Sequence, residues 1–442
     1  LKSAAVGGAG IVAAKLGAEP PQQTPAAKGK SMINVPFERH DVVRLAFIGL
    51  GARGSGLLSD YLAIDGVRVT ALCDIDKNKV LAGQKAVMAK GQSEPAGYWK
   101  DEKDFENLAK RTDIDAIVIA TPWDWHVPMS LAAMNNGHHA FSEVPAAETI
   151  ADCWNLVDTS ERTRKHCVMM ENCCYGANEM MVYQMVKSGL LGEVTHAEGA
   201  YIHDLRSLLT ADQSEGLWRR FPHIKRNGNF YPTHGLGPIA NYFDINRGDK
   251  FDFIVSMSSP QASLEAYVKD NFPAGDPKRR EKYICGDMNT SLIKCHSGKT
   301  IKVQHDVVTP RPYSRLNMVQ GTKGTFSDYP AQLAIDADGA HEWLAAEKYA
   351  EYEKKYEHPM WKRVGELARQ NGGHGGMDFV LAWRLIQCMK EGRAPDMDCY
   401  DAASWSAPTP LSQDSVKKGS VPLPFPDFTR GRWSEKRVIW EM

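Results

Sequence analysis

Apolar and polar positions follow two different rhythms along this chain, and the change falls near Leu191. Before it, short runs that are apolar on both faces alternate with stretches of helical spacing. The runs at 45–50, 67–73, 115–120, 139–142 and 167–171 predict strands, and the stretches at 76–90, 103–111, 129–136 and 149–164 predict helices. Strands without a polar face belong in a parallel sheet covered by helices on both sides. After Leu191 the runs lengthen and alternate, at 194–203, 251–257, 290–295, 300–307 and 316–319. Alternation of that kind predicts a second, mostly antiparallel sheet with one wet face. Periodic stretches at 377–391 and 400–405 predict helices that pack back on one of the two sheets.

The first predicted strand runs into Gly49, Gly51 and Gly54, spaced G-x-G-x-x-G, and the second ends on Asp74. This spacing assigns Gly49 to a tight turn, Gly51 to close backbone approach of a pyrophosphate, and Gly54 to helix–strand contact. A helix N-terminus behind the glycines offers free N–H groups to phosphates. Asp74 lies twenty residues after Gly54, where a carboxylate binds ribose hydroxyls and repels a 2′-phosphate, favouring NAD over NADP. The other reading is an α/β turn that binds nothing. The fold class expected is α/β plus α+β: an N-terminal Rossmann dinucleotide-binding domain, then a domain built on a mostly antiparallel open β-sheet. Three segments are expected: 1–42, an export-leader remnant and linker; 43–190, the NAD-binding domain; and 191–442, a substrate-binding β-sheet domain with C-terminal helices.

Composition narrows the function. The 53 basic and 54 acidic residues nearly cancel and form no basic block, which argues against a nucleic-acid partner. Nine scattered cysteines, two of them adjacent (Cys173, Cys174), with no metal-type Cys-x-x-Cys pair, read as reduced thiols and predict no metal site. No apolar run reaches the ~18 residues of a membrane span. The chain opens on Leu1 rather than Met and is read as truncated; residues 1–18 are small, mildly apolar and glycine-rich, and 19–30 form a polar, Pro-rich linker. Residues 1–18 resemble the apolar part of a twin-arginine leader without its Arg-Arg pair, which predicts an exported, periplasmic protein. An ordinary flexible N-terminus on a cytoplasmic protein is the alternative.

Strand ends of an open parallel sheet share one edge, where ligands bind. The glycine loop, Asp74, Trp123, Asp124, Trp125, His126, Glu143 and Asn172 are therefore expected to cluster. A Rossmann half followed by a β-sheet domain resembles the glucose–fructose oxidoreductase and inositol dehydrogenase family. That family usually carries Glu-Lys-Pro after its fifth strand, and its lysine takes part in proton transfer. Here the position reads Glu143-Val144-Pro145. Several strings instead resemble glycoside hydrolase family 109, the NAD-dependent α-N-acetylgalactosaminidases: Trp123-Asp124-Trp125-His126, Glu143-Val144, Glu171-Asn172, Tyr201-Ile202-His203-Asp204-Leu205-Arg206, Tyr231-Pro232-Thr233-His234, Asp244-Ile245-Asn246-Arg247-Gly248 and 372–378. The resemblance runs from about Val43 to the C-terminus.

It implies NAD contacts at Ala52, Arg53, Asp74, Trp123, Asp124, Trp125, His126, Glu143, Val144 and Asn172, beside the glycines. It implies substrate contacts at Tyr201, Arg219, Tyr231, Pro232, Thr233, His234 and Tyr313. Asp124 stands where the family has Glu, which keeps the charge. The activity implied is retaining exo-hydrolysis of terminal α-linked N-acetylgalactosamine on a glycan or glycoside. Its cycle is oxidation at C3, loss of the C2 proton with elimination at C1, addition of water, and reduction. NAD is tightly bound and recycled, so no carboxylate pair of the usual glycosidase type is needed. His234 is the leading candidate to accept the C3 hydroxyl proton; a hydrogen-bonded loop histidine is the bland reading. Tyr231, Tyr201 and Tyr313 are left open among the C2 proton, the leaving oxygen and orientation. Arg219 contacts sugar or pairs with an acid, and Trp123 and Trp125 stack or simply pack. An NAD-dependent sugar dehydrogenase, a sensor that has lost turnover, and a homo-oligomer remain alternatives.

Overall fold

The computed structural model describes residues 24–339, 341–437 and 439–440. The leader-like stretch 1–18 lies outside the described residues, as does the linker before residue 24.

Strands β1 (Val43–Ile48), β2 (Val67–Cys73), β3 (Ala96–Tyr98), β4 (Ala116–Ile119), β5 (His139–Ser142) and β6 (Cys167–Met169) form one sheet in the order β3-β2-β1-β4-β5-β6. Every pairing in it is parallel. The chain reverses direction of travel between β1 and β4, so a crevice opens there at the C-terminal strand ends. Strands β4, β5 and β6 are buried along their whole length, as the uninterrupted apolar runs predict. Helix Ile150–Thr163 begins at its predicted place because the Thr149 hydroxyl accepts from the Asp152 amide, and stops at Arg164, which turns left-handed. Strand β3 has no run that marks it in the sequence.

The second sheet has eight strands: β7 (Val194–Ile202), β8 (Phe251–Ser258), β9 (Asn289–Cys295), β10 (Thr300–Asp306), β11 (Met318–Gly321), β12 (Gly324–Ser327), β13 (Gln332–Ile335) and β14 (Leu423–Pro424). Their order is β13-β12-β11-β7-β10-β9-β8-β14. All pairings are antiparallel except β7 with β10. The expected strand at 316–319 lies two residues later, because Leu316 and Asn317 take left-handed backbone. The short strands β12, β13 and β14 were not foreseen.

One expected loop is a helix. Tyr231 and Pro232 lead into helix Thr233–Tyr242, in which Gly235, Gly237 and Pro238 hide the helical rhythm. Those glycines let it dock. A Cβ on Gly235 would sit 2.4 Å from the Ala200 amide nitrogen of β7, and one on Gly237 would sit 2.9 Å from the Glu171 side chain. Helix and strand are thus in backbone contact, which sets His234 beside Tyr201.

The late helices return to the first sheet. Helix Met377–Glu391 packs on helix Ala52–Leu62 and on the turn Asn172–Tyr175, while helix Cys399–Ser406 packs on helix Ile150–Thr163 and β6. Helix Ala177–Lys187, on the N-terminal side of the 190/191 boundary, packs against helix Thr233–Tyr242 of the second unit. One continuous apolar core runs through both sheets.

Candidate active site

A cleft of about 440 Å³ opens where β1, β2, β4 and β5 end. Gly49, Gly51, Ala52, Arg53, Asp74, Trp123, Trp125, His126, Glu143, Val144, Arg219 and Tyr231 line it. Of the residues expected to cluster, the glycine loop, Asp74, Trp123, Trp125, His126 and Glu143 meet here, while Asp124 and Asn172 are not in the lining. Gly49 has φ +88°, a left-handed turn open to glycine, and a Cβ on Gly54 would meet the Gly49 carbonyl oxygen at 1.9 Å. A Cβ on Gly51 would meet nothing within 4 Å. That empty space in front of a helix N-terminus fits a phosphate group. The Asp74 carboxylate accepts from the Leu50 amide at 2.7 Å and the Asp76 amide at 2.9 Å, which fixes it at the β2 end of the cleft. A carboxylate has about four acceptor positions, so lone pairs remain for ribose hydroxyls.

The remaining predicted cofactor residues divide by how they are held. Arg53 donates from Nε to Glu143 at 2.7 Å and from both terminal nitrogens to Asp378, at 2.6 and 3.1 Å. Burial opposes its charge, but Glu143 and Asp378 hold its pKa well above the ordinary value. Asn172 donates its amide to Asp378 at 2.6 Å. His126 is fully buried, with Nδ1 at 2.7 Å from the Pro145 carbonyl and Nε2 at 2.9 Å from the Thr121 carbonyl. Its ring ties the β4 end to the β5 end, and neither nitrogen is left for a ligand. Asp124 is exposed. Trp125 packs edge-on against Phe105 and Trp123 against Trp218.

Facing this wall is a nest of rings. Tyr201 and Tyr231 lie 4.6 Å apart, with His234 at 5.4 and 4.8 Å from them and Tyr313 6.2 Å from Tyr201. The Arg219 guanidinium sits over Trp123, Tyr201 and Tyr231 at 5.3, 5.9 and 5.0 Å and donates to Glu215 at 2.5 Å. Both expected roles of Arg219 are thus compatible: it pairs with an acid and still faces the cleft. Burial raises the pKa of Tyr201 and, more strongly, of Tyr231, and Arg219 beside them only partly offsets this. Both phenols are neutral donors at ordinary pH. The Tyr313 hydroxyl accepts from Arg315 at 3.0 Å. Pro232 precedes helix Thr233–Tyr242, and the buried Thr233 opens it.

His234 has a partner that the residue spacing did not reveal. Its Nδ1 lies 2.8 Å from Oε1 of Glu171, a carboxylate with no exposed surface. Burial pushes that carboxyl up, but the facing imidazole more than offsets this and holds it below its ordinary pKa. An ionised carboxylate only accepts, so Nδ1 carries a hydrogen, and the lone pair of the ring in its neutral form lies on Nε2. Among the described residues Nε2 has no hydrogen-bond partner. The arrangement is an oriented general base. The Cys173 thiol is pushed far up by burial and is no nucleophile. Glu171, Cys173 and His234 offer three ligand atoms within 4.8 Å of one another, which could hold a soft divalent ion at the expense of the His234–Glu171 bond. His203, whose ring packs 5.1 Å from Tyr313, and Asp378 are further members of the site that sequence reasoning left out.

Comparison with known proteins agrees with this division of labour. Residues 43–171 match the oxidoreductase family with an NAD-binding Rossmann fold, and residues 175–435 match glycosyl hydrolase 109, C-terminal domain. A glycosyl hydrolase family 109 protein of Solibacter usitatus is 54% identical over 412 residues, covering 93% of each chain. One from Saccharopolyspora erythraea is 49% identical over 437 residues, 98% of this chain and 94% of that one. Among solved structures, a levoglucosan dehydrogenase in complex with NADH superposes with TM-score 0.66 at 16% identity, over 87% of this chain and 99% of that one. An oxidoreductase domain protein from Kribbella flavida gives TM-score 0.67 at 16% identity, over 88% and 100%. At such identities the structures speak for the fold alone.

Proposed function

This chain belongs to glycosyl hydrolase family 109, and on that premise we propose that it removes terminal α-linked N-acetylgalactosamine by a cycle of oxidation, elimination, addition and reduction. It is an NAD-binding glycoside hydrolase on an oxidoreductase fold. Bound NAD supplies hydride exchange with C3 of the sugar. The glycine loop and Asp74 would hold its adenosine and phosphates, and the strand ends at Glu143 and Asn172 its other half.

The observation that carries this reading is the pairing of His234 with Glu171. With Nδ1 donating to the carboxylate, Nε2 takes the C3 hydroxyl proton and Glu171 stabilises the imidazolium that results. Arg219 keeps a fixed positive charge beside the cleft, facing the negative charge that builds on the C3 oxygen as its proton passes to Nε2. Tyr201 and Tyr231, kept neutral by burial, suit donation to sugar hydroxyls or to the leaving oxygen rather than removal of the C2 proton. The rings around them exclude water. Val144 at the β5 end, buried and facing the cleft, gives no lysine for net dehydrogenation.

The test is incubation of purified protein with nitrophenyl α-N-acetylgalactosaminide and no added NAD. Release of nitrophenol without NADH accumulation is expected, and NADH build-up without nitrophenol would overturn the reading. A panel of other nitrophenyl sugars tests the substrate class. Tight retention follows from a cycle that returns NAD oxidised, and dinucleotide should appear in the supernatant of denatured protein. Export with folded cofactor, proposed from residues 1–18, is tested by fractionating cells that express the native gene.

A further inference from the structure

Asp378 stands in the first turn of helix Met377–Glu391, far along the sequence from the glycine loop, yet its carboxylate is buried against the cofactor edge. It accepts from four N–H groups: two on Arg53, one on Asn172 and Nδ1 of His374 at 2.8 Å. Arg53 opens the helix behind the glycines, and Asn172 follows β6. Arg53 follows β1 at the switch point, and its side chain reaches Glu143 at the β5 end; Asn172 lies beyond β6, on the side of the sheet away from Asp74. A dinucleotide whose adenosine ribose meets Asp74 places its second nucleotide on that side. Arg53 sends its remaining Nε bond to Glu143, so one buried carboxylate orients side chains from three separate loops.

We propose that Asp378 is a positioning residue for the half of the dinucleotide beyond the pyrophosphate, backed from the solvent side by His374. Burial pushes the Asp378 carboxyl up, and His374 and Arg53 pull it well below its ordinary range, so it stays ionised wherever the protein is folded. Without it Arg53 keeps a single side-chain bond and the Asn172 amide loses its acceptor. Both side chains become free to rotate while the glycine turn and Asp74, held by backbone amides, stay as they are. The inference rests on the dinucleotide site and not on the sugar cleaved. Its failure leaves the glycosidase reading standing, and a failed nitrophenyl assay leaves it untouched.

The experiment compares two probes on the full chain stripped of NAD: NAD itself, and AMP, which has only the Asp74 half. Asp378→Asn should weaken NAD by about tenfold or more and shift AMP by less than about twofold. Asp378→Glu, which keeps the charge, should recover part of the difference. Equal losses for both probes would mean a general structural role, and no loss would mean no role; either overturns the proposal. His374 is exposed, so His374→Ala serves if Asp378→Asn does not fold. A selective NAD loss of about twofold to fivefold is expected there, and unchanged NAD affinity would overturn the proposal.

Discussion

On the Rossmann side of the cleft, side chains are fixed by charge: Arg53 lies between Glu143 and Asp378, and Asp74 is pinned by backbone amides. On the facing side they are fixed by rings, with one guanidinium among Trp123, Tyr201 and Tyr231 and one imidazole against a buried carboxylate. The first wall is held rigid by these pairings and suits a ligand that stays. The second wall keeps one lone pair and several phenol hydrogens in reserve, which suits a ligand that reacts and leaves. The contrast predicts that damage to the two walls separates: cofactor retention on one, turnover on the other.

The sharpest break comes at His234. His234→Ala should lose about 10²- to 10⁴-fold in kcat yet retain NAD, as measured by nitrophenol release and dinucleotide content. Exchange of the C2 proton with deuterated water should fall equally, because it needs the ketone first; wild-type exchange without leaving-group release would move His234 to a later step. Glu171→Gln comes next, with a loss on the order of tenfold or more in kcat and little change in KM, because glutamine can still accept from Nδ1 but does not balance an imidazolium. Arg219→Met should lower kcat by about tenfold with a smaller change in KM, because the charge it removes faces negative charge that develops during the reaction. NAD lost from any of these three variants would erase the distinction between the walls.

The smallest effect is on stability, and it has opposite signs on the two sides. Beneath the ring wall, burial pushes the His223 imidazole down to about 3. The unfolded chain binds that proton near pH 6.5 and the folded one does not, so stability falls as pH drops from about 6.5. In helix Ala52–Leu62, burial and the nearby Asp378 charge push Asp60 up to about 7. Here the folded form keeps a proton that the unfolded one has lost, so stability falls as pH rises from about 4 to about 7. Asp60→Asn should raise Tm by a few degrees at pH 8 and by less at pH 5, in thermal melts. An equal gain at both pH values would break the assignment.

The sequence makes one wall far more legible than the other. Asp74, Glu143 and Asn172 end apolar runs, and parallel-sheet geometry alone brings strand ends together. Glu171 sits in the same string as Asn172, yet its meaning depends on helix Thr233–Tyr242, whose glycines disguise it as a loop and exist because they let it touch β7 and Glu171. Asp378 is 325 positions from Arg53 and 206 from Asn172. No local period encodes a contact of that range. His126 shows the reverse: its place beside the cleft was legible, but the two backbone carbonyls that face its ring nitrogens were not.

The return of helix Met377–Glu391 to the glycine loop has a consequence for biosynthesis. A ribosome delivers the dinucleotide-binding strands first, with the turn at Gly49 and the amides of helix Ala52–Leu62 already encoded in them. Arg53 and Asn172 then wait for an acceptor that is translated hundreds of codons later, and Glu161 waits for the Tyr400 hydroxyl. The nascent chain can fold the phosphate half of its cofactor cradle while still tethered, but the other half closes only once helix Met377–Glu391 has been made. Cofactor loading in the finished grip is therefore a late event in the life of the polypeptide.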